Sequence, residues 1–307
     1  MRIAVIGTGA IGGYFGGRLA AAGEEVVFVA RGEHLRALRA GGLKVESPKG
    51  DFAVSSLNAT DDISGIGSVD LVLVGVKAWQ VLGVAPALGP LIGDNTAILP
   101  LQNGVEASGQ LAAQHGERHV LAGMCRIVSM VVKPGHIRHL GVEPCVVFGE
   151  LDGRSSERVT TIIGAFEGAG VGVESPADIW ASIWGKFAFI ASFGGVGAVA
   201  RAPAGVMRST PGTRELLESA MREVCEVAGA KSVTLSHDTV GKAMAFLDGM
   251  PPDATSSMQR DIMNGRPSEL ESQTGAVVRI GKETGVATPV HRFIYNALLP
   301  METRARG

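Results

Sequence analysis

The chain opens with the apolar run Ile3-Ala4-Val5-Ile6, which leads directly into Gly7-Thr8-Gly9-Ala10-Ile11-Gly12. Few folds accommodate a strand that feeds glycines at this spacing. Gly7 makes a tight turn, Gly9 lets the backbone approach a pyrophosphate, and Gly12 lets the next helix pack closely on the strand. In a chain with 43 glycines the pattern alone is weak. Here a strand precedes it, a small-residue helix follows, and Val26, Val27 and Val29 supply a β-branched second strand. The segment therefore reads as a βαβ unit that binds a dinucleotide through Gly7, Gly9, Ala10, Ile11 and Gly12. The competing reading is a glycine-rich helix packed tightly on a sheet.

The end of the second strand bears on which dinucleotide. NAD sites place an acid there for the ribose 2′-hydroxyl, whereas NADP sites need a cation for the 2′-phosphate. This strand ends in Ala30-Arg31, so the expected cofactor is NADP(H), with Arg31 on the phosphate. The alternative is a solvated Arg31 with Glu33 as the ribose ligand.

At 307 residues the chain has length for two domains. A net charge of -2 leaves no basic footprint for nucleic acid or an anionic membrane. Cys125, Cys145 and Cys225 lie far apart without a CxxC pair, so neither a disulfide framework nor a thiolate metal site is expected, and a cytoplasmic setting fits. The first residues superficially resemble a signal peptide, but glycines at turn and packing positions and Arg18 within the apolar run favour the nucleotide turn. The uncharged stretch from Phe187 to Ala200 is too short to span a bilayer.

Alternation of strands and helices continues past the first unit. Val69 to Val76 reads as a buried parallel strand, and Thr96 to Leu101 as another that ends at Gln102-Asn103-Gly104. Loops at strand C-termini line the ligand crevice of open α/β sheets, which places Lys77 and Asn103 at the cofactor. Further strands are expected over Met124–Lys133, Gly135–Leu140, Pro144–Gly149 and Val171–Glu174, with a helix from about Ser155 to Gly168. From Ile179 onward the strand signal stops. Helices are expected over Ile179–Phe193, Thr213–Ala230, Ser236–Leu247, Ser268–Thr284 and Pro289–Leu299, with a frayed tail from Glu302. The expected fold is α/β: a Rossmann-type dinucleotide-binding domain over 1–176 and an all-helical domain over 177–307, with the active site in the cleft between them.

Lys186 stands out in the helical half. At helical spacing it shares a face with Ile183, Ile190 and Phe193, so its ammonium emerges from an apolar stripe. One reading is a lysine snorkelling to the surface. The other is a partly desolvated ammonium with a lowered pKa, suited to proton transfer. Glu269 follows Pro267-Ser268 at the start of a helix, where Ser268 capping and the helix dipole would be a complete structural explanation. Ser257 sits where a hydroxyl can bind a carboxylate. His136 and His139 differ by an odd number in a strand and face opposite ways, and no metal site is expected. Trp180, Trp184 and Phe187 read as core.

Taken together, the Gly7–Gly12 turn, Val76-Lys77-Ala78-Trp79-Gln80, Gln102-Asn103-Gly104, Trp184-Gly185-Lys186, Ser257-Met258-Gln259-x-Asp261, Gly265-Arg266-Pro267-Ser268-Glu269 and Gly285-Val286-Ala287-Thr288-Pro289 resemble, in order and spacing, the ketopantoate reductase (2-dehydropantoate 2-reductase) family over nearly the whole chain. The resemblance implies NADPH-dependent reduction of a branched 2-oxo acid. It implies Lys186 as general acid, Glu269 as a partner for the lysine or a substrate hydroxyl, Ser257 and Asn103 as substrate ligands, and Lys77 beside the cofactor. One departure matters. Four and eight residues after the lysine the family carries asparagines, and here those positions hold Ile190 and Gly194. A pocket bordered by Ile190 loses amide hydrogen bonds, so a less polar 2-oxo acid is one rival substrate. A non-catalytic NADPH-binding sensor is another reading, opposed by retention of Lys186, Ser257 and Glu269. The expected partner is a small molecule, with no nucleic acid or membrane; a homodimer is compatible with the sequence, which does not define the oligomeric state.

Overall fold

The structure, a computed structural model, describes residues 1–307 and divides into two compact units. The first comprises Met1–Gln102 and Ala107–Ile179, the second Asn103–Glu106 and Trp180–Gly307. The sequence puts a single boundary at 176/177, whereas the chain assigns four residues of the first half to the second unit. Their side chains explain this. Val105 packs on the cluster that contains Trp184, Phe187 and Val277, and Glu106 pairs with Arg279 at 2.9 Å.

In the first unit, β1 (Arg2–Ile6), α1 (Ala10–Ala21) and β2 (Glu25–Val29) form the expected βαβ unit, followed by α2 (Gly32–Gly41). The short strands β3 (Leu43–Glu46), β4 (Phe52–Val54) and β5 (Asn58–Thr60) precede β6 (Val69–Val74). A helical stretch containing α3 (Val81–Val84) leads to β7 (Ile92–Pro100) and α4 (Ala107–His115). The long strands β8 (Leu121–Lys133) and β9 (His136–Glu150), then α5 (Glu157–Gly168) and β10 (Gly172–Glu174), complete the unit.

One sheet is parallel throughout, in the order β5-β2-β1-β6-β7. Its strand order reverses between β1 and β6, so their C-terminal ends open a crevice at Gly7 and Gly75. β6 is buried at five of its six positions, which is why it reads as a continuous apolar run. The fully buried rings of Phe15 and Phe28 contribute about 1.5–3 kcal/mol each to this core. The second sheet, in the order β10-β9-β3-β4 with β8 on β9, was legible only in part. Its β9 is one strand where the sequence suggests two. The ladder jumps from Arg126↔Cys145 to Val128↔Leu140, so the residues between Leu140 and Cys145, including Gly141 at φ +53° and Pro144, which lacks an N–H, bulge out without ending the strand.

The second unit is all helical: α6 (Ile179–Ala200), α7 (Ala204–Ser209), α8 (Pro211–Ala230), α9 (Thr239–Gly249), α10 (Ser257–Met263), a π-helical turn (Glu271–Gly275), α11 (Ala276–Thr284) and α12 (Pro289–Arg306). α6 runs seven residues past its expected end at Phe193. Glycine disfavours helix locally, but a Cβ on Gly195 would stand 3.0 Å from Ile294 and one on Gly197 2.7 Å from Gln259, so the glycines allow close packing that holds the helix. At 22 residues α6 is long and apolar enough to cross a bilayer by length and composition, contrary to the shorter run read from the sequence, yet most of it is buried in the protein. The expected single helix over 268–284 instead begins with the π turn, closed by Gly275 N–H donating to Leu270 O at 2.9 Å. The expected frayed tail is the last turn of α12, and Glu302 within it is buried.

Candidate active site

β1 delivers the chain into the glycine turn. The Gly7 and Thr8 N–H groups donate to Val29 O at 3.2 and 3.1 Å, and Thr8 Oγ1 donates to the same oxygen at 3.0 Å. Gly7 lies at φ +89°, and a Cβ on it would stand 2.6 Å from Val76 Cγ1. A Cβ on Gly12 would fall on the Gly7 carbonyl, whereas one on Gly9 would meet open space. α1 begins with Gly9 as a cap that offers no side chain, and its first turn carries no acid. Its N–H groups and dipole therefore face Gly9, Ala10 and Ile11 uncompensated, and these residues fit a dinucleotide pyrophosphate.

The neighbouring loops are tied down by backbone and amide bonds. Gly75 N–H donates to Ile6 O at 2.8 Å, and Gln102 Nε2 bridges Val74 O and Val76 O at 2.8 and 2.9 Å. Lys77 is exposed and precedes a 3₁₀ turn, its N–H donating to Gln80 Oε1 at 3.1 Å. Arg31 is exposed at the start of α2, just beyond β2. Glu33, the alternative ribose ligand, is exposed too and lies 3.8 Å from Arg36.

In the second unit the structure brings three candidate residues together. Lys186 Nζ donates to Asn103 Oδ1 at 2.9 Å, and Asn103 Nδ2 donates to Glu269 Oε2 at 3.4 Å. Lys186 is half-buried and its ammonium ends on the Asn103 amide. Glu269 is buried, and Gln273 Nε2 donates to its Oε2 at 3.2 Å. Glu269 is thus bound by two side-chain amides, partners that a capping role alone would not require. Ser268 Oγ accepts from Leu270 N–H at 3.1 Å, the bond that a cap makes, and the residue is also held from α12. Its N–H donates to both oxygens of Glu302 at 3.1 Å, its hydroxyl donates to Glu302 Oε2, and its carbonyl accepts from Arg306 at 3.0 Å.

The segment carrying Asn103 is anchored as well. Arg279 Nη2 donates to Glu106 Oε2 at 2.9 Å, and Arg279 also pairs with Glu271, which accepts from Tyr295 at 2.6 Å. Burial, and then the Glu271 carboxylate, push the Tyr295 phenol up to about 12, so it stays a donor.

The remaining candidates are placed as follows. Ser257 is the half-buried first residue of α10, and the helix cap is Ser256, which accepts from Gln259 N–H at 3.0 Å. Ile190 is half-buried against the apolar cluster of Trp184, Phe187 and Val224. His139 binds Ser47 Oγ at 2.9 Å and Val142 O at 2.7 Å. Sequence reasoning missed Gln273, Glu106, Glu302 and Arg306. Gln273 has a local signal, because it lies four residues after Glu269 and so on the same helical face. Glu106 has none.

The family described as Ketopantoate reductase PanE/ApbA matches residues 3–153, and its C-terminal family matches residues 178–302. The chain is 30% identical to the 2-dehydropantoate 2-reductase of Nostoc sp., over 99% of this chain and 96% of that one. It is also 30% identical to an uncharacterized oxidoreductase, YkpB, of Bacillus subtilis, over 96% and 97%. A crystal structure of a PanE/ApbA family ketopantoate reductase from Ralstonia eutropha superposes with a TM-score of 0.91 at 30% identity, over the full length of both chains. That of a 2-dehydropantoate 2-reductase from Geobacter metallireducens also gives 0.91 at 30%, over 98% and 99%.

Proposed function

The chain belongs to the ketopantoate reductase family, a family of oxidoreductases, and from that premise we propose that it reduces a 2-oxo acid with NADPH, ketopantoate to pantoate being the leading reaction. The observation that carries the proposal is the linked set of Lys186, Asn103 and Glu269. A bound nicotinamide would supply the hydride. Lys186 then gives a proton to the carbonyl oxygen as it becomes an alkoxide, and its positive charge stabilises the charge developing there. Asn103 accepts from the ammonium at 2.9 Å and so gives it a defined direction. Glu269 takes the lysine or a substrate hydroxyl as partner, and Ser257 offers a hydroxyl to the substrate carboxylate. Gly7 to Gly12 hold the pyrophosphate, Lys77 lies beside the cofactor, and Arg31 takes the 2′-phosphate.

Half-buried Ile190 supports a second reading, in which the same chemistry acts on a 2-oxo acid with a less polar side chain. A panel of 2-oxo acids, followed by loss of NADPH absorbance, tests both. Steady turnover with ketopantoate above all others supports the first, and preference for alkyl 2-oxo acids supports the second. No turnover with any 2-oxo acid would overturn both.

A further inference from the structure

Gly194 leaves a gap on the buried face of α6 that other residues fill. A Cβ there would lie 3.1 Å from Met258 Cε, 3.2 Å from Ser256 Oγ and 3.4 Å from Gln273 Oε1. Gln273 is only 2% exposed and stands in the π turn, where its Nε2 donates to Glu269 Oε2 at 3.2 Å. Asn103 Nδ2 donates to the same oxygen at 3.4 Å. Burying an amide costs free energy that a leucine of similar volume would not, unless its hydrogen bonds serve a purpose. A side chain on Gly194 would press first on Met258 Cε and Ser256 Oγ and would lie in contact with the Gln273 amide oxygen.

We propose that Gln273 is a positioning residue that orients the Glu269 carboxylate, and that its amide, with Met258 and Ser256, fills the side-chain space at Gly194. The inference rests on the reading of Lys186 and Glu269 as the reacting pair. It changes the meaning of Gly194: an amide is present at that place in the fold, delivered from the π turn instead of from α6. A hydrogen bond to a charged group is worth enough for its loss to cost roughly tenfold in turnover.

The test is a swap read with NADPH and the best 2-oxo acid of the panel. Gln273→Leu should lower kcat roughly tenfold and leave the KM for NADPH unchanged, a split that a general loss of structure would not give. Gly194→Asn, whose longer side chain presses past Met258 and Ser256 onto Gln273, should show a similar loss. The double variant Gly194→Asn/Gln273→Leu, which returns an amide from α6, should recover turnover above either single variant. Gln273→Met, linear like glutamine, reads the same quantity if the leucine variant does not fold. A folded Gln273 variant with unchanged kcat would overturn the proposal, as would a double variant no better than either single variant. Lys186→Ala assayed alongside separates the two levels. Full activity in Lys186→Ala removes the underlying reading, whereas loss there with unchanged Gln273 variants removes this inference alone.

Discussion

Lys186 Nζ and Asn103 Oδ1 are joined at 2.9 Å although 83 positions separate them in the chain. The bond ties the middle of α6 to the loop after β7, and through Asn103 Nδ2 it reaches the buried Glu269. A lysine held this way has a fixed direction, which a proton donor needs and a solvated surface lysine lacks.

Lys186 should therefore matter more to turnover than to binding, because its interaction strengthens as negative charge grows on oxygen. Lys186→Ala is expected to lower kcat by about 10²-fold or more, in line with the loss of general-acid help. Steady-state kinetics with saturating NADPH read it, and a near-normal kcat would sink the assignment.

Gly9 and Gly12 should fail differently. A Cβ on Gly9 meets nothing, so Gly9→Ala should keep its melting temperature and lose affinity for NADPH, the methyl standing where the pyrophosphate comes close. A Cβ on Gly12 collides with the Gly7 carbonyl, so Gly12→Ala should melt earlier even without nucleotide. Thermal melts and fluorescence titration with NADPH separate the two outcomes.

Arg31 should set the choice of cofactor. Arg31→Ala is expected to raise the KM for NADPH strongly and that for NADH little, since only the former carries the 2′-phosphate. Equal effects on both would assign the phosphate to another residue.

Ile190 lies one helical turn beyond Lys186 on α6. If it borders the substrate, a polar group facing it goes unpaired at about 1–3 kcal/mol, so Ile190→Asn should improve kcat/KM for ketopantoate relative to an alkyl 2-oxo acid. A wild type that already prefers ketopantoate strongly, with the variant lowering that preference, would show that Ile190 does not mark altered specificity.

Glu150 should make the protein acid-sensitive. Burial pushes its carboxyl up, but Arg158 at 2.7 Å and Ser156 at 2.6 Å outweigh burial and hold the pKa below its ordinary value. A depressed carboxylate pKa stabilises the fold above the unfolded value of about 4.5, and that contribution is lost as the pH falls through the folded value. Glu150→Gln should consequently lose less melting temperature than the wild type between neutral and acid pH. An equal loss in both proteins would place the acid sensitivity elsewhere.

Much of the architecture was legible because it rests on local chemistry. The strand, glycine turn and helix at residues 2–21 follow from a continuous apolar run, φ freedom at Gly7 and small residues in α1, all visible within a few positions. The change from α/β to all-helical order is similarly a matter of periodicity. The short strands β3, β4 and β5 were not legible, because three or four residues carry too little pattern.

For the site, the sequence by itself singled out Lys186, Asn103, Ser257 and Glu269, and left Glu269 between a cap and a partner for the lysine or a substrate hydroxyl. Tertiary structure decided their company. It carried Asn103–Glu106 into the helical unit through Arg279, turned Glu302 from a tail residue into the acceptor for Ser268, and put the Gln273 amide on Glu269 and beside Gly194. Each of these bonds except the last joins residues more than thirty positions apart, where neither helical period nor local propensity carries a signal. The physical reason is burial: a carboxylate or amide removed from water must find a partner, and only the folded chain determines which one is within reach.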